Sequence, residues 1–134
     1  MHLQINFSWL LPYIMVCALL LELPDLAIGQ TTISAVTFKQ QMAINGVQLI
    51  DVRTEEEFTA GHIGYAQLID WYKPLSFQQK VNQLNKNKPV LLYCRTGVRS
   101  AAAKQWLSSH GFTQVMDLSG GIESWQQRGF PVLK

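Results

Sequence analysis

Val90-Leu91-Leu92-Tyr93-Cys94-Arg95-Thr96-Gly97-Val98-Arg99-Ser100-Ala101-Ala102-Ala103 is the stretch from which the rest of the chain can be read. Its first half, extended back to Pro89, is an unbroken apolar run of strand length. Such a run fits a central parallel strand buried on both faces better than a half-exposed one. Its second half turns through a short loop holding one glycine and two arginines, and then opens a helix of small residues. The cysteine sits where the strand ends and the loop begins. A loop that turns from strand into helix aims successive backbone N–H groups inward as an anion-binding nest. The helix N-terminus adds free N–H groups and about half a positive charge. Gly97 permits a backbone angle that other residues resist, and Arg95 and Arg99 bring positive charge around the bowl.

Working outward, β-rich runs alternate with helix signals. Val47–Val52, Pro89–Tyr93, Ala66–Ile69 and Val115–Leu118 read as strands. Three S/T-x-x-E/Q patterns mark helix starts: Thr37 with Gln40, Thr54 with Glu57, and Ser76 with Gln79. Further helices are expected over Arg99–His110, stopped by Gly111, and over Ile122–Arg128, before Gly129 and Pro131. This alternation predicts one α/β domain with a central parallel sheet and helices on both faces. Folds of that class place their chemistry at the carboxyl ends of strands.

Composition narrows the function. The 134 residues suffice for one domain and not for two, and 48% apolar with 15% charged residues argues against disorder. A net charge of +2 gives no argument for nucleic acid as a partner. The N-terminus differs from the rest. Phe7–Leu21 carries no charge over 15 residues, is short for a membrane span, and ends sharply at Glu22, Pro24 and Asp25. Ala27-Ile28-Gly29 then offers small residues at the −3 and −1 positions of a cleavage before Gln30. The segment 1–29 is therefore expected to be a secretory signal peptide, and 30–134 an exported, periplasmic or otherwise extracytoplasmic domain structured from about Ile33. Met1–Asn6 lacks Lys and Arg, which leaves an uncleaved N-terminal anchor as the alternative. Val16 is too bulky for the residue before a lipoprotein cysteine, so Cys17 would leave with the signal. Cleavage removes Glu22 and Asp25 but no basic residue, and it leaves Cys94 as the single cysteine. An internal disulfide and a Cys-rich metal site are then excluded.

A lone thiol in an oxidising compartment is either buried and inert or deliberately exposed and reactive. An ordinary thiol is only about 3% ionised at neutral pH, and helix N-termini and nearby cations raise that fraction. Gly97, both arginines and the strand-to-helix context together favour the reactive reading. Other residues are read as structural. Asp51 and Arg53 end another strand in hydrogen bonds that support neighbouring loops. His62 is read as bonding a loop, and His110 as suiting a helix C-terminus. Trp106 and Trp125 are read as core, and Glu55, Glu56 and Glu57 as favourable first-turn charge without a function.

In this order the pieces resemble the rhodanese homology domain over nearly all of the chain from Ile33 onward. They are Asp51-Val52-Arg53, Glu57-Phe58, Gly61-His62-Ile63, Cys94 through Ser100, Gly111-Phe112, Leu118-Ser119-Gly120-Gly121-Ile122, Trp125 and Gly129-Phe130-Pro131-Val132. The chain departs from the family at Tyr65, Leu68 and Asp70, where Gly, Asn and Pro are usual, which bears on loop shape near the site. The resemblance implies a rhodanese-like α/β fold and sulfurtransferase chemistry. Cys94 would be the catalytic nucleophile, carrying sulfur as a persulfide. The backbone of Arg95, Thr96, Gly97, Val98 and Arg99 would cradle it. The partners implied are a small anionic donor such as thiosulfate and a thiol or cyanide-like acceptor, with no cofactor and no metal. Two alternatives stay open. A persulfide carrier or binding module without efficient turnover would show the same loop. A rhodanese-fold phosphatase or arsenate reductase brackets five residues between cysteine and arginine, whereas Cys94 and Arg99 bracket four, a smaller bowl that suits a compact sulfane sulfur.

Overall fold

The side chains of the central strand β4 (Val90–Tyr93) alternate between two cores, and every one is fully buried. Val90 and Leu92 join Ile50, Phe77, Val81, Ala103, Leu107 and Val115 on one face of the sheet. Leu91 and Tyr93 join Phe38, Leu49, Ile63, Leu118, Ile122 and Trp125 on the other. Because successive strand side chains point to opposite faces, a strand covered on both sides must be apolar at every position, which is the pattern read from the sequence.

The structure is a computed structural model that describes residues 30–134; the expected signal segment 1–29 lies outside the described residues. Five strands, β1 (Gln30–Ile33), β2 (Gln48–Asp51), β3 (Gln67–Leu68), β4 and β5 (Val115–Leu118), form one parallel sheet in the order β1-β5-β4-β2-β3. Five helices connect and flank them: α1 (Ala35–Met42), α2 (Glu55–Ala60), α3 (Pro74–Val81), α4 (Val98–Ser109) and α5 (Gly121–Gln127). Helices α3 and α4 supply Phe77, Val81, Ala103 and Leu107 to one core, and α1 and α5 supply Ala35, Phe38, Ile122 and Trp125 to the other. The expected α/β class, a parallel sheet with helices on both faces, is the observed one.

Register sets up the site. Asp51 pairs with Tyr93 across β2 and β4, so the two strands end at the same level and their following loops lie side by side. On the far side, Asp117 of β5 stands next to both Leu92 and Thr32.

Several local expectations need correction. Only Thr54 and Glu57 form the expected capping box: the Glu57 N–H donates to Thr54 Oγ1 at 3.3 Å, and the Thr54 N–H to Glu57 Oε2 at 3.0 Å. Helix α1 starts one turn before Thr37, capped by Ser34, whose hydroxyl accepts from the Thr37 N–H at 3.2 Å. Ser76 lies inside α3, which begins at Pro74. Proline has its φ already set for a helix and no N–H to leave unbonded, so it starts a helix without a hydroxyl cap. Strand β1 was not expected as such; its Thr31-Thr32 pair is β-branched but polar, which suits an edge strand and hides it from an apolar pattern. Strand β3 spans two residues, not four.

Candidate active site

Cys94 follows β4 directly and is buried, 1% exposed. This corrects the expectation that a reactive thiol here is an exposed one: the sulfur is covered by its own loop, whose Gly97 N–H faces it. The loop after it is shaped from behind by α5. The Ile122 N–H donates to the Cys94 carbonyl at 2.9 Å, and the Glu123 N–H donates to the Arg95 carbonyl at 3.2 Å. These bonds pull two successive carbonyls away from the bowl. The approach is so close that a Cβ on Gly121 would collide with both carbonyl groups. Gly97 then turns the chain at φ +107°, in the region that favours glycine, and caps α4. Its N–H lies 3.1 Å from Cys94 Sγ.

Burial by itself pushes the Cys94 thiol up. The Ser100 hydroxyl, 3.5 Å away, and the backbone N–H groups of Ser100, Gly97 and Thr96 outweigh it, and hold the thiol below its ordinary value. Donors converging on one sulfur stabilise negative charge there, which is the chemistry the nest was expected to supply. Ser100 was not singled out as a site residue from the sequence. The signal lay in its place, three residues after the loop glycine, where its hydroxyl also reaches the Gly97 carbonyl at 3.2 Å.

The two arginines, expected to add positive charge around the bowl, are each paired with a glutamate. Arg99 makes a two-pronged pair with Glu57, at 2.7 and 2.8 Å, and its guanidinium stands 5.3 Å from the centre of the Tyr72 ring. The Arg99 partner and two Thr54 donors hold the Glu57 carboxyl at about 2 despite partial burial. Glu57 thus has a partner across the site as well as a place in a helix first turn. Arg95 is exposed and pairs with Glu123 at 2.9 Å. Thr96 and Val98 are exposed on the outer side of the loop.

Asp51 and Arg53 do what strand-end hydrogen bonds were expected to do. Arg53 reaches Asp51 Oδ2 with Nη2 at 2.6 Å and with Nε at 3.0 Å, and Nη2 continues to the Gly61 carbonyl at 2.6 Å. Both residues are buried, and the pair fixes the turn after α2. His62 stacks on Phe58 at 4.1 Å and exchanges backbone hydrogen bonds with Leu133. His110 stacks on Trp106 within α4 and bonds its carbonyl, as a helix-end histidine should. Trp125 is core on the α1 and α5 face of the sheet, and Trp106 is partly buried against the opposite core, on the α4 side.

The departures near residues 64–70 leave the fold intact and make contacts of their own. Tyr65 donates its hydroxyl to the Met42 carbonyl at 2.7 Å, tying this loop to the end of α1. Asp70 accepts from the Tyr72 N–H at 2.8 Å, a local turn that sets the Tyr72 ring against Arg99. A cleft of about 140 Å³ between Arg53, Glu57, Gly61, Ile122 and Gln126 adjoins this wall. The larger hollow of about 410 Å³ between Trp71, Trp106 and His110 is lined by none of the loop residues.

Comparison with known proteins agrees with this geometry. The chain is 46% identical over 79 residues to the uncharacterized protein YqhL of Bacillus subtilis, which covers 58% of this chain and 60% of that one. It is 34% identical over 80 residues to the thiosulfate sulfurtransferase GlpE of Coxiella burnetii, covering 60% and 72% of the two chains. The crystal structure of a rhodanese-related protein from Thermoplasma volcanium superposes with a TM-score of 0.68 at 30% identity, over 77% of this chain and 97% of that one. Residues 34–128 match the family model described as the rhodanese-like domain. With its sheet, its cysteine loop and this match in agreement, the chain belongs to the rhodanese-like domain family.

Proposed function

We propose that the chain is a sulfurtransferase that moves sulfane sulfur from thiosulfate or a similar anionic donor to a thiophilic acceptor through a persulfide on Cys94. The observation that carries the reading is the convergence of the Gly97 N–H and the Ser100 hydroxyl on a strand-end thiol held below its ordinary ionisation range. The Cys94 thiolate attacks the outer sulfur of thiosulfate. A new S–S bond forms as the old one breaks, and its electron pair leaves with sulfite. The negative charge then rests one atom further out, and the backbone of Arg95, Thr96, Gly97, Val98 and Arg99 offers it N–H groups. An acceptor thiolate or cyanide takes the outer sulfur as a persulfide or thiocyanate, and the Cys94 thiolate returns. Asp51 and Arg53 support the neighbouring loop and take no part in the transfer.

A second reading, a persulfide carrier with little turnover on free donors, is favoured by one observation. Glu57 takes both Nη groups of Arg99, so that guanidinium is not free for a thiosulfate dianion, and the exposed Arg95 is held through its Nε by Glu123. On location, we read the Phe7–Leu21 run and Ala27-Ile28-Gly29 as support for export with cleavage before Gln30, and an N-terminal anchor as the alternative.

One experiment tests these readings together: intact-mass analysis of protein from an export-competent host, before and after thiosulfate, followed by a turnover assay. A mature N-terminus at Gln30, one added sulfur atom on wild type and none on Cys94→Ser are expected, with the variant's turnover at background. Turnover retained by folded Cys94→Ser, or wild type that never gains sulfur from thiosulfate, mercaptopyruvate or polysulfide, overturns the assignment. Added sulfur without turnover selects the carrier.

A further inference from the structure

Beneath the cysteine loop a line of polar groups runs through the layer between the sheet and α4. Ser100 Oγ lies 3.5 Å from Cys94 Sγ, 3.2 Å from the Gly97 carbonyl and 3.3 Å from Asp117 Oδ2. Ser100 and Asp117 are buried, at 0% and 2% exposure. A serine hydroxyl has one proton to donate. Once Cys94 is ionised, three acceptors compete for it, and only one arrangement places it on sulfur. The other carboxylate oxygen of Asp117 is held separately: Lys104 Nζ lies 2.6 Å from Oδ1, and Thr32 donates to the same atom at 2.7 Å. Lys104 also reaches Thr32 Oγ1 at 2.7 Å. Two donors on Oδ1 draw charge away from Oδ2 and make it a weaker rival for the Ser100 proton. The ammonium also offsets a carboxylate that would otherwise stand, buried, behind a thiolate, where like charges oppose each other strongly.

We propose that Lys104 is a positioning residue for the Cys94 thiolate: together with Thr32 it occupies Asp117 Oδ1, which frees the Ser100 hydroxyl to donate to Sγ. The inference rests on Cys94 being the nucleophile, but it concerns the ionisation of the thiol and not the identity of the donor. Other charged groups face the site from every side. Arg95 and Arg99 lie on the loop and α4, held by Glu123 of α5 and Glu57 of α2. The Asp51–Arg53 pair ends β2, and Tyr72 stands against Arg99. Among the described residues, Lys104 and Asp117 are the ionisable pair connected to Sγ through the Ser100 hydroxyl. A plain staple joining β1, β5 and α4 would contribute to stability and leave the thiol unchanged, so stability alone does not separate the two roles.

The test is the pH profile of Cys94 alkylation by iodoacetamide in the full chain, read at the Cys94 peptide by mass spectrometry, with folding checked by circular dichroism. Lys104→Met is expected to move the profile's midpoint upward by about one pH unit, a roughly tenfold loss of rate well below the midpoint. Asp117→Asn is expected to move it downward, because the carboxylate is gone and the ammonium stays. The double variant should lie between the two single ones. A midpoint in folded Lys104→Met that stays or falls overturns the proposal, as does a double variant as high as Lys104→Met. If Lys104→Met does not fold, Asp117→Asn decides alone, since an unchanged or raised midpoint there is equally fatal. Shifts of the expected sign in protein that never accepts sulfur would break the proposed function and leave this inference standing. Sulfur transfer with unmoved profiles would do the reverse.

Discussion

Strands β2 and β4 end side by side, one in Asp51 and the other in Tyr93 followed by Cys94, yet the two ends treat their polar groups in opposite ways. At the β2 end every strong group is matched: the Asp51 carboxylate takes the Arg53 guanidinium and backbone N–H, and the guanidinium continues to the Gly61 carbonyl. At the β4 end the carbonyls of Cys94 and Arg95 are drawn away by α5, and N–H donors are left facing a sulfur atom. A closed set of partners gives rigidity. A surplus of donors gives a place where negative charge is welcome. In a parallel sheet both can sit one strand apart, because the strand ends share one edge and the loops decide what each offers.

The contrast breaks most sharply at Asp51. Asp51→Ala leaves the Arg53 guanidinium buried without its carboxylate, and removing one partner of a buried pair costs about 3–5 kcal/mol. Denaturant unfolding should show a loss of that order, while the Cys94 alkylation profile in the folded protein stays where it is. A profile that moves with Asp51 would mean that the two ends are not independent.

The next effect belongs to Gly121. A Cβ there strikes the carbonyls of Cys94 and Arg95, and the residue sits at φ +61°. Gly121→Ala should therefore lose roughly 2–3 kcal/mol by combined strain and displacement. Unlike Asp51→Ala, it should also slow Cys94 alkylation at neutral pH, because the loop N–H groups turn with the displaced carbonyls. Stability lost with alkylation unchanged would show that the clamp does not aim the donors.

The smallest effect is expected at Glu57, which stands between the two ends. Its carboxyl lies at about 2, down from an ordinary 4.5, chiefly through Arg99. A lowered acid adds stability that is fully present above 4.5 and is lost as the pH falls toward about 2. For a pair that is partly open to solvent the contribution is about 1 kcal/mol. Glu57→Gln should flatten that acid limb in pH-dependent melting. If the limb survives the substitution, other carboxyls carry it.

The fold and the thiol were both legible in the sequence, for connected reasons. An apolar run of strand length and a cysteine before a glycine turn are local patterns, and local patterns survive in a linear text. Strand β1 was not legible, because Thr31 pairs with Met116 and Thr32 bonds Asp117 and Lys104, all far along the chain. The same limit explains Glu57. Three glutamates at a helix start fully account for themselves until Arg99, 42 positions later, folds onto one of them. Ser100 was visible as part of a loop and invisible as a donor, since nothing nearby in sequence reveals which acceptors surround its hydroxyl. Asp70 was noticed as a departure from the family pattern, but its effect passes through Tyr72, and only the folded chain brings that ring to Arg99.

The pairing of β1 with β5 also governs the order in which this molecule can be assembled. The first described strand lies on the edge beside the last, and the Thr32–Asp117 bond spans 85 positions. Closing so long a loop is only modestly harder than closing a short one, because the entropy grows with the logarithm of length. The contacts that reward it, however, are absent until the far end exists, and chains dominated by such distant pairings fold slowly. During synthesis β2 can meet β3 and β4 early, whereas β1 has no strand to pair with among the described residues until Val115–Leu118 has emerged. The β1 edge of the sheet is therefore closed only after β5 is available, and the first described strand is one of the last to find its place.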